Sequence, residues 1–125
     1  MADKPISVLL VDDETDFSEP IAFWLKSRGY EVKTLQNGKE AVSWVKDNPP
    51  DIMFMDINMP VMDGIEATRQ IRTAWPAVRV IGLSMFNSTE YAAIMKEAGA
   101  AAYLVKASAA DLLVAVIREC NNPNA

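Results

Sequence analysis

Five short apolar runs, each followed by a longer stretch with helical spacing, constrain what this chain can fold into more than any other feature. The runs are Ile6 to Val11, Tyr30 to Leu35, Ile52 to Met55, Val78 to Leu83 and Ala102 to Val105. The helical stretches extend from about Thr15 to Arg28, Gly38 to Asp47, Gly64 to Trp75, Thr89 to Ala98 and Ser108 to Cys120. Strands that alternate with helices make a parallel sheet covered on both faces, because each parallel connection must carry the chain back to the same edge. The expected architecture is an α/β three-layer sandwich around a five-stranded sheet. The first, third and fourth runs are apolar enough to be buried on both faces, so they are expected at the centre, while the second alternates and is expected at an edge.

The ends of the helices carry local signals. Gly29 and Gly99 stand where left-handed C-terminal caps are expected, Pro76 and Pro49-Pro50 stop two other helices, and Ser88 or Thr89 and Ser108 are suited to N-terminal caps. Ser108 with Asp111 three residues on resembles a capping box. Pro20 lies inside the first helical stretch, so a delayed, irregular start is expected there, with Ser18 as cap and Pro20 in the first turn. Trp24, Trp44 and Trp75 are expected to pack helices on the sheet. No linker or repeat divides the chain, so one domain over residues 1–125 is expected, with loose ends at 1–5 and 121–125.

Composition removes whole classes of function. The 125 residues are 50% hydrophobic, enough for a core without covalent staples. The single cysteine, Cys120, excludes an internal disulfide and a Cys-based zinc site. The absence of histidine excludes His-based nucleophile activation and imidazole metal ligation, so carboxylates, Lys, Ser and Tyr must carry any chemistry. A net charge of −5, with no stripe of Lys or Arg, argues against direct binding of nucleic acid. No segment has the apolar core of a signal peptide or the ~18 apolar residues of a membrane span, which is the basis for expecting a cytoplasmic protein.

The polar residues that follow the strands gather the chemistry. In open α/β sheets, ligands bind at the carboxyl ends of the strands. The first strand ends in Asp12-Asp13-Glu14, the third in Asp56, the fourth in Ser84 and the fifth in Lys106. Each interval between these positions holds at least one crossover, so all of them can reach one crevice. Taken singly, Asp12 or Asp13 would be a solvated helix cap and Lys106 a solvated lysine; it is the conjunction at four strand ends that points to a site. Asp12, Asp13 and Asp56 crowded together repel one another unless a hard cation with oxygen ligands sits among them, and Mg²⁺ suits such a shallow carboxylate site. A carboxylate beside a cation and a lysine can attack phosphorus, and Ser84 and Lys106 can hold the phosphoryl oxygens.

These residues resemble the receiver domain of bacterial two-component response regulators over essentially the whole chain. Val8-Leu9-Leu10-Val11-Asp12-Asp13-Glu14 is similar to the family's first strand and acidic pair, and Met55-Asp56-Ile57-Asn58-Met59-Pro60-Val61-Met62-Asp63-Gly64 to its phosphorylation loop. Ile81-Gly82-Leu83-Ser84 and Ala98 through Lys106 are similar to its last two signatures. The resemblance implies a flavodoxin-like strand order 2-1-3-4-5 and a phosphorylation switch fed by a sensor histidine kinase or a histidine phosphotransfer protein. It makes Asp56 the phosphoacceptor, Asp13 and Asp56 direct Mg²⁺ ligands with Asp12 acting through water, and the Asn58 carbonyl a further ligand. Ser84 and Lys106 would bind the phosphoryl group, and Ser84 with Tyr103 would form the switch. The output surface would be the helix from Thr89 to Ala98, the fifth strand and the last helix, docking an output domain, a protein partner or, on phosphorylation, a second copy. The last third is similar to regulators whose receiver precedes a helix-turn-helix domain.

Two departures from the family pattern bear on the site. Ala107 stands where Pro commonly follows the lysine, so a trans Lys106–Ala107 bond and an altered presentation of Lys106 are expected. Met85 is bulkier than the residue usual beside the hydroxyl and is expected to narrow access. Three other functions compete. An aspartyl phosphohydrolase would share the Asp56-Ile57-Asn58 run but needs a second domain to close over substrate. An FMN carrier needs a Gly- and hydroxyl-rich loop where Asp12-Asp13-Glu14 would repel the phosphate. A degenerate receiver acting only as an interaction module would not need the complete set of Asp12, Asp13, Asp56, Ser84 and Lys106.

Overall fold

The computed structural model describes residues 5–57, 63–85 and 88–120. Five strands and five helices alternate in the order β1 (Ser7–Val11), α1 (Thr15–Ser27), β2 (Glu31–Leu35), α2 (Gly38–Asp47), β3 (Ile52–Asp56), α3 (Gly64–Ala74), β4 (Arg79–Ser84), α4 (Thr89–Ala98), β5 (Ala102–Val105) and α5 (Lys106–Cys120). All strand pairs are parallel, and the sheet runs β2-β1-β3-β4-β5. The expected sandwich, strand order and edge position of the second strand are therefore observed.

Alternation along each strand divides the core into the two faces of the sheet. Val8, Leu10, Ile52, Phe54, Ile81 and Leu83 pack with Ile21, Ala22 and Leu25 of α1 and with Ala109, Leu113 and Ile117 of α5. Leu9, Val11, Met53, Met55 and Val80 face the other way, onto Ala41 and Val45 of α2 and Ala67 and Ile71 of α3. Met95 of α4 packs with Ile57, Ala100 and the half-buried Tyr103. The tryptophans pack as expected, Trp24 against the first cluster and Trp44 and Trp75 against the second.

The helix ends show where local signals held and where tertiary packing overrode them. Gly99 closes α4 in the left-handed conformation, and Gly29 has positive φ after α1. Ser88 caps α4 by accepting from the Tyr91 N–H. Two expectations are corrected. The first helix begins at Thr15 with Pro20 inside it, not at a delayed start: Ser18 is buried within the helix, and its N–H bonds to the Glu14 carbonyl. Pro20 and Asp16, four residues before it, are both exposed, so the carbonyl deprived of its helical donor lies on the side that water reaches. The last helix begins at Lys106, so Ser108 is not its cap; the hydroxyl lies in the first turn and donates to the Val105 carbonyl. Ala107 permits this start. A proline at 107 would push Lys106 out of helical conformation, whereas alanine allows the helix to open directly from β5. No peptide bond is cis among the described residues, so Lys106–Ala107 is trans as expected.

Candidate functional site

The carboxyl ends of β1 and β3, the start of α1 and the first residue of α5 meet at one edge of the sheet. β1 and β3 are adjacent and in register from Val8 opposite Ile52 to Val11 opposite Met55, so the residues that follow, Asp12 and Asp56, emerge side by side. Both continue the alternation that faces α1 and α5 and are almost fully buried, at 0% and 2% exposure. Asp13, one residue out of phase with Asp12, is exposed. One oxygen from each of Asp12, Asp13, Glu14 and Asp56 lies within 4.8 Å of the others.

The chain leaves β1 through a tight local turn. Asp12 Oδ1 accepts the Glu14 N–H at 2.8 Å, and the Asp12 N–H is held by the Leu35 carbonyl at 3.0 Å. The Glu14 carbonyl then receives the first N–H groups of α1, from Phe17 and Ser18. Glu14 occupies the N-cap position of α1, but its side chain makes no cap. It reaches across to Lys106 instead.

Lys106 is the cation of this cluster. Its Nζ lies 2.6 Å from Glu14 Oε1, 2.8 Å from Asp12 Oδ2 and 3.4 Å from Asp56 Oδ2. The Asp12 contact is a charge contact rather than an aligned hydrogen bond, whereas the Glu14 contact is both. The alkyl stem places Nζ 5.1 Å from the centroid of the Phe17 ring, a cation–π arrangement. Burial works against the charged form of Lys106, but the close carboxylates of Asp12 and Glu14 and the charge of Asp56 outweigh it, so its pKa is raised above the ordinary lysine value.

On the other side of Asp56, Ser84 ends β4 fully buried, one position past Leu83, the register partner of Asp56. Ser84 pairs in register with Val105, immediately before Lys106, and Tyr103 pairs with Gly82 two positions back. Tyr103 packs against the Met95 cluster beneath α4. Gly64 lets α3 begin hard against the end of β3: a Cβ there would collide with the Asp56 carbonyl, so only glycine fits this close approach.

The structure thus brings together Asp12, Asp13, Asp56 and Lys106, and sets Ser84 on the strand beside Asp56. Asn58 lies outside the described residues. Glu14 and Phe17 belong to the site and were not singled out from sequence. Glu14 carried a signal, since a glutamate at an N-cap position is an unusual choice where Ser, Thr, Asp or Asn satisfies the backbone.

With this geometry in view, the comparisons with known proteins are decisive. Residues 8–118 match the response regulator receiver domain. The chain belongs to that family. Transcriptional regulatory protein LnrK of Bacillus subtilis is 36% identical to this receiver over 114 residues, which cover 90% of this chain and 52% of that protein. Transcriptional regulatory protein PrrA of Mycobacterium tuberculosis is 38% identical over 111 residues, covering 89% of this chain and 48% of PrrA. The receiver spans about half the length of the curated relatives it matches. Among solved structures, a two-component response regulator of the LuxR family from Aurantimonas sp. superposes with a TM-score of 0.84 at 33% identity, covering 93% of this chain and 84% of that one. A CheY-like receiver domain protein from Methanospirillum hungatei gives a TM-score of 0.87 at 26% identity, covering 93% of both chains. No helix among the described residues is long and apolar enough to cross a membrane.

Proposed function

We propose that this receiver is a phosphorylation switch in which Asp56 accepts a phosphoryl group from a phosphohistidine on a sensor kinase or phosphotransfer protein. The observation that carries this reading is the convergence of four carboxylates within 4.8 Å, with one buried ammonium set against three of them. In the transfer, a carboxylate oxygen of Asp56 attacks phosphorus, the P–N bond of the donor breaks, and its electron pair stays on the donor imidazole. Asp56 is held for this at the end of a central strand, with its Oδ2 beside Lys106. Lys106 supplies fixed positive charge toward the phosphoryl oxygens, and Ser84 on the adjacent strand supplies a hydroxyl donor.

The oxygen-only donor set suits Mg²⁺. Asp13 and Asp56 would hold it directly, together with the carbonyl of Asn58. Asp12 has one oxygen on the Glu14 N–H and the other on Lys106, so it would act through water. When bound, Mg²⁺ offsets the crowded negative charge and that of the transferring group.

The output follows from the strands beside the site. Drawing the Ser84 hydroxyl toward a phosphoryl group would open space that Tyr103 fills by turning inward, altering the surface of α4, β5 and α5. This is the face proposed to dock an output domain, a protein partner or a second copy, since phosphorylation shifts only equilibria between states it binds differently. The test is incubation with acetyl phosphate and Mg²⁺ followed by intact-mass measurement and peptide mapping. One phosphoryl group on Asp56, absent from Asp56→Asn, is expected; modification of Asp12 or Asp13, or none, would contradict the assignment.

A further inference from the structure

Lys106 has three N–H donors, and three carboxylates surround it. The contacts are unequal in a telling way. The shortest, at 2.6 Å, is to Glu14, and the longest, at 3.4 Å, is to Asp56, the proposed acceptor. The partners also differ in how readily they can let go. The side chains of Asp12 and Asp56 are buried, at 0% and 3% exposure, whereas that of Glu14 is 50% exposed and can swing into water. Glu14 holds this contact at the expense of its local role, because a residue at the N-cap would ordinarily serve the first turn of α1, and its side chain does not.

We infer that Glu14 is a latch: in the unphosphorylated receiver it holds the Lys106 ammonium back from Asp56, and it must release the lysine before a phosphoryl group on Asp56 can be bound. Glu14 is on this account a positioning residue that sets the affinity of the site for the phosphoryl group through Lys106. It does not ligate the cation. The inference rests on the phosphoacceptor reading, and it makes Glu14 oppose the modified state, where every other acid in the cluster supports it.

Beryllofluoride, which binds a carboxylate as a phosphoryl mimic, is the probe, with the full chain titrated at saturating Mg²⁺. Two variants separate the latch from its rivals. Glu14→Gln removes the charge; Glu14→Asp keeps the charge but shortens the reach by one methylene. Both should bind beryllofluoride about two- to fivefold more tightly than the unaltered protein, the range of a partly exposed ion pair. The charge-conserving Glu14→Asp should keep its Mg²⁺ affinity in the absence of beryllofluoride within about twofold of the unaltered value. Tighter binding by Glu14→Gln alone would mean that Glu14 acts through its field and not by holding Lys106, which overturns the latch. Mg²⁺ binding weakened by about tenfold or more in Glu14→Gln would make Glu14 a metal partner and also overturn it. Unchanged beryllofluoride binding in both variants would do the same. Failure of the unaltered, folded protein to bind beryllofluoride would instead overturn the phosphoacceptor reading, and the latch with it.

Discussion

Strand β3 is flanked by two aspartates, Asp51 just before its first residue and Asp56 as its last, and the fold treats them in opposite ways. Asp51 is met by its own set of donors. Its Oδ2 accepts the Ser7 N–H at 2.8 Å and the Ser7 hydroxyl at 3.3 Å, and its own N–H returns a bond to the Ser7 hydroxyl at 2.9 Å. That closed, reciprocal pair fastens the start of β3 to the start of β1. At the other end, four carboxylates crowd together and three of them share the ammonium of Lys106. The amino end also holds a cleft of about 820 Å³ lined in part by Trp44, Pro49, Pro50 and Lys33. Two of its charges are locally settled: Lys33 lies over the Trp44 ring at 4.7 Å, and Asp51 is bonded to Ser7. Crowded carboxylate charge around one buried lysine marks the candidate site here.

The sharpest way to break this contrast is to remove the cation at the crowded end. Lys106→Met leaves buried Asp12 without its counter-charge and should destabilise the metal-free protein by about 3–5 kcal/mol in chemical denaturation. The pH dependence follows from the raised pKa of Lys106. A raised folded-state value means the stabilisation is complete below the unfolded-state value and is lost only as pH rises past it. The gap between the two proteins should therefore be constant from about pH 6 to 9 and begin to close only above the ordinary lysine value of 10.5. A gap that closes below pH 9 would show that Lys106 is not held charged by its neighbours.

Relieving the crowding should do the reverse. Asp13→Asn should stabilise the metal-free protein and reduce its response to Mg²⁺. The unaltered protein should gain ~2.7 kcal/mol at a hundredfold excess over Kd. An unchanged metal-free midpoint, with the full Mg²⁺ gain retained in the variant, would show that the four acids do not act as one cluster.

The way these two ends were legible in the sequence differs as well. The apolar runs and their alternation predicted the sheet, its strand order through the family resemblance, and the gathering of Asp12, Asp13, Asp56, Ser84 and Lys106 at one edge. Those features are set by short-range periodicity and by which residue follows each strand. Two others depend on contacts between distant segments. The reach of Glu14 across to Lys106 spans 92 positions, and no local pattern distinguishes it from a solvated acid. The Ser7–Asp51 pair joins two strand starts 44 positions apart. The start of α5 was misplaced because Ser108 and Asp111 imitate a cap, whereas continuity from β5 through Ala107 allowed the helix to begin two residues earlier. Pro20 misled for a similar reason: the local rule against proline inside a helix yields when the orphaned carbonyl faces water and the opposite face is buried.

The smallest effect belongs to the amino end. Ser7→Ala should cost about 1 kcal/mol, the worth of a hydrogen-bonded pair at a partly exposed position, and should leave the Mg²⁺ gain unchanged. A change in that gain would mean the two ends of β3 are energetically coupled, and the contrast drawn between them would fail.

On the proposed reading, function resides at the carboxyl ends of β1, β3 and β4 and is read out through β5. A ¹H–¹⁵N NMR titration tests it most directly, with Mg²⁺ added first and beryllofluoride second. Mg²⁺ should shift residues 12–14 and 56–57. Beryllofluoride should extend the shifts to Ser84 and Lys106 and onward to Tyr103 and the surfaces of α4 and α5. Residues 31–33 and 48–51, around the amino-end cleft, should stay unmoved. Shifts centred on that cleft, or a beryllofluoride response that stops at the loops and leaves residues 89–120 unmoved apart from Lys106, would contradict the account.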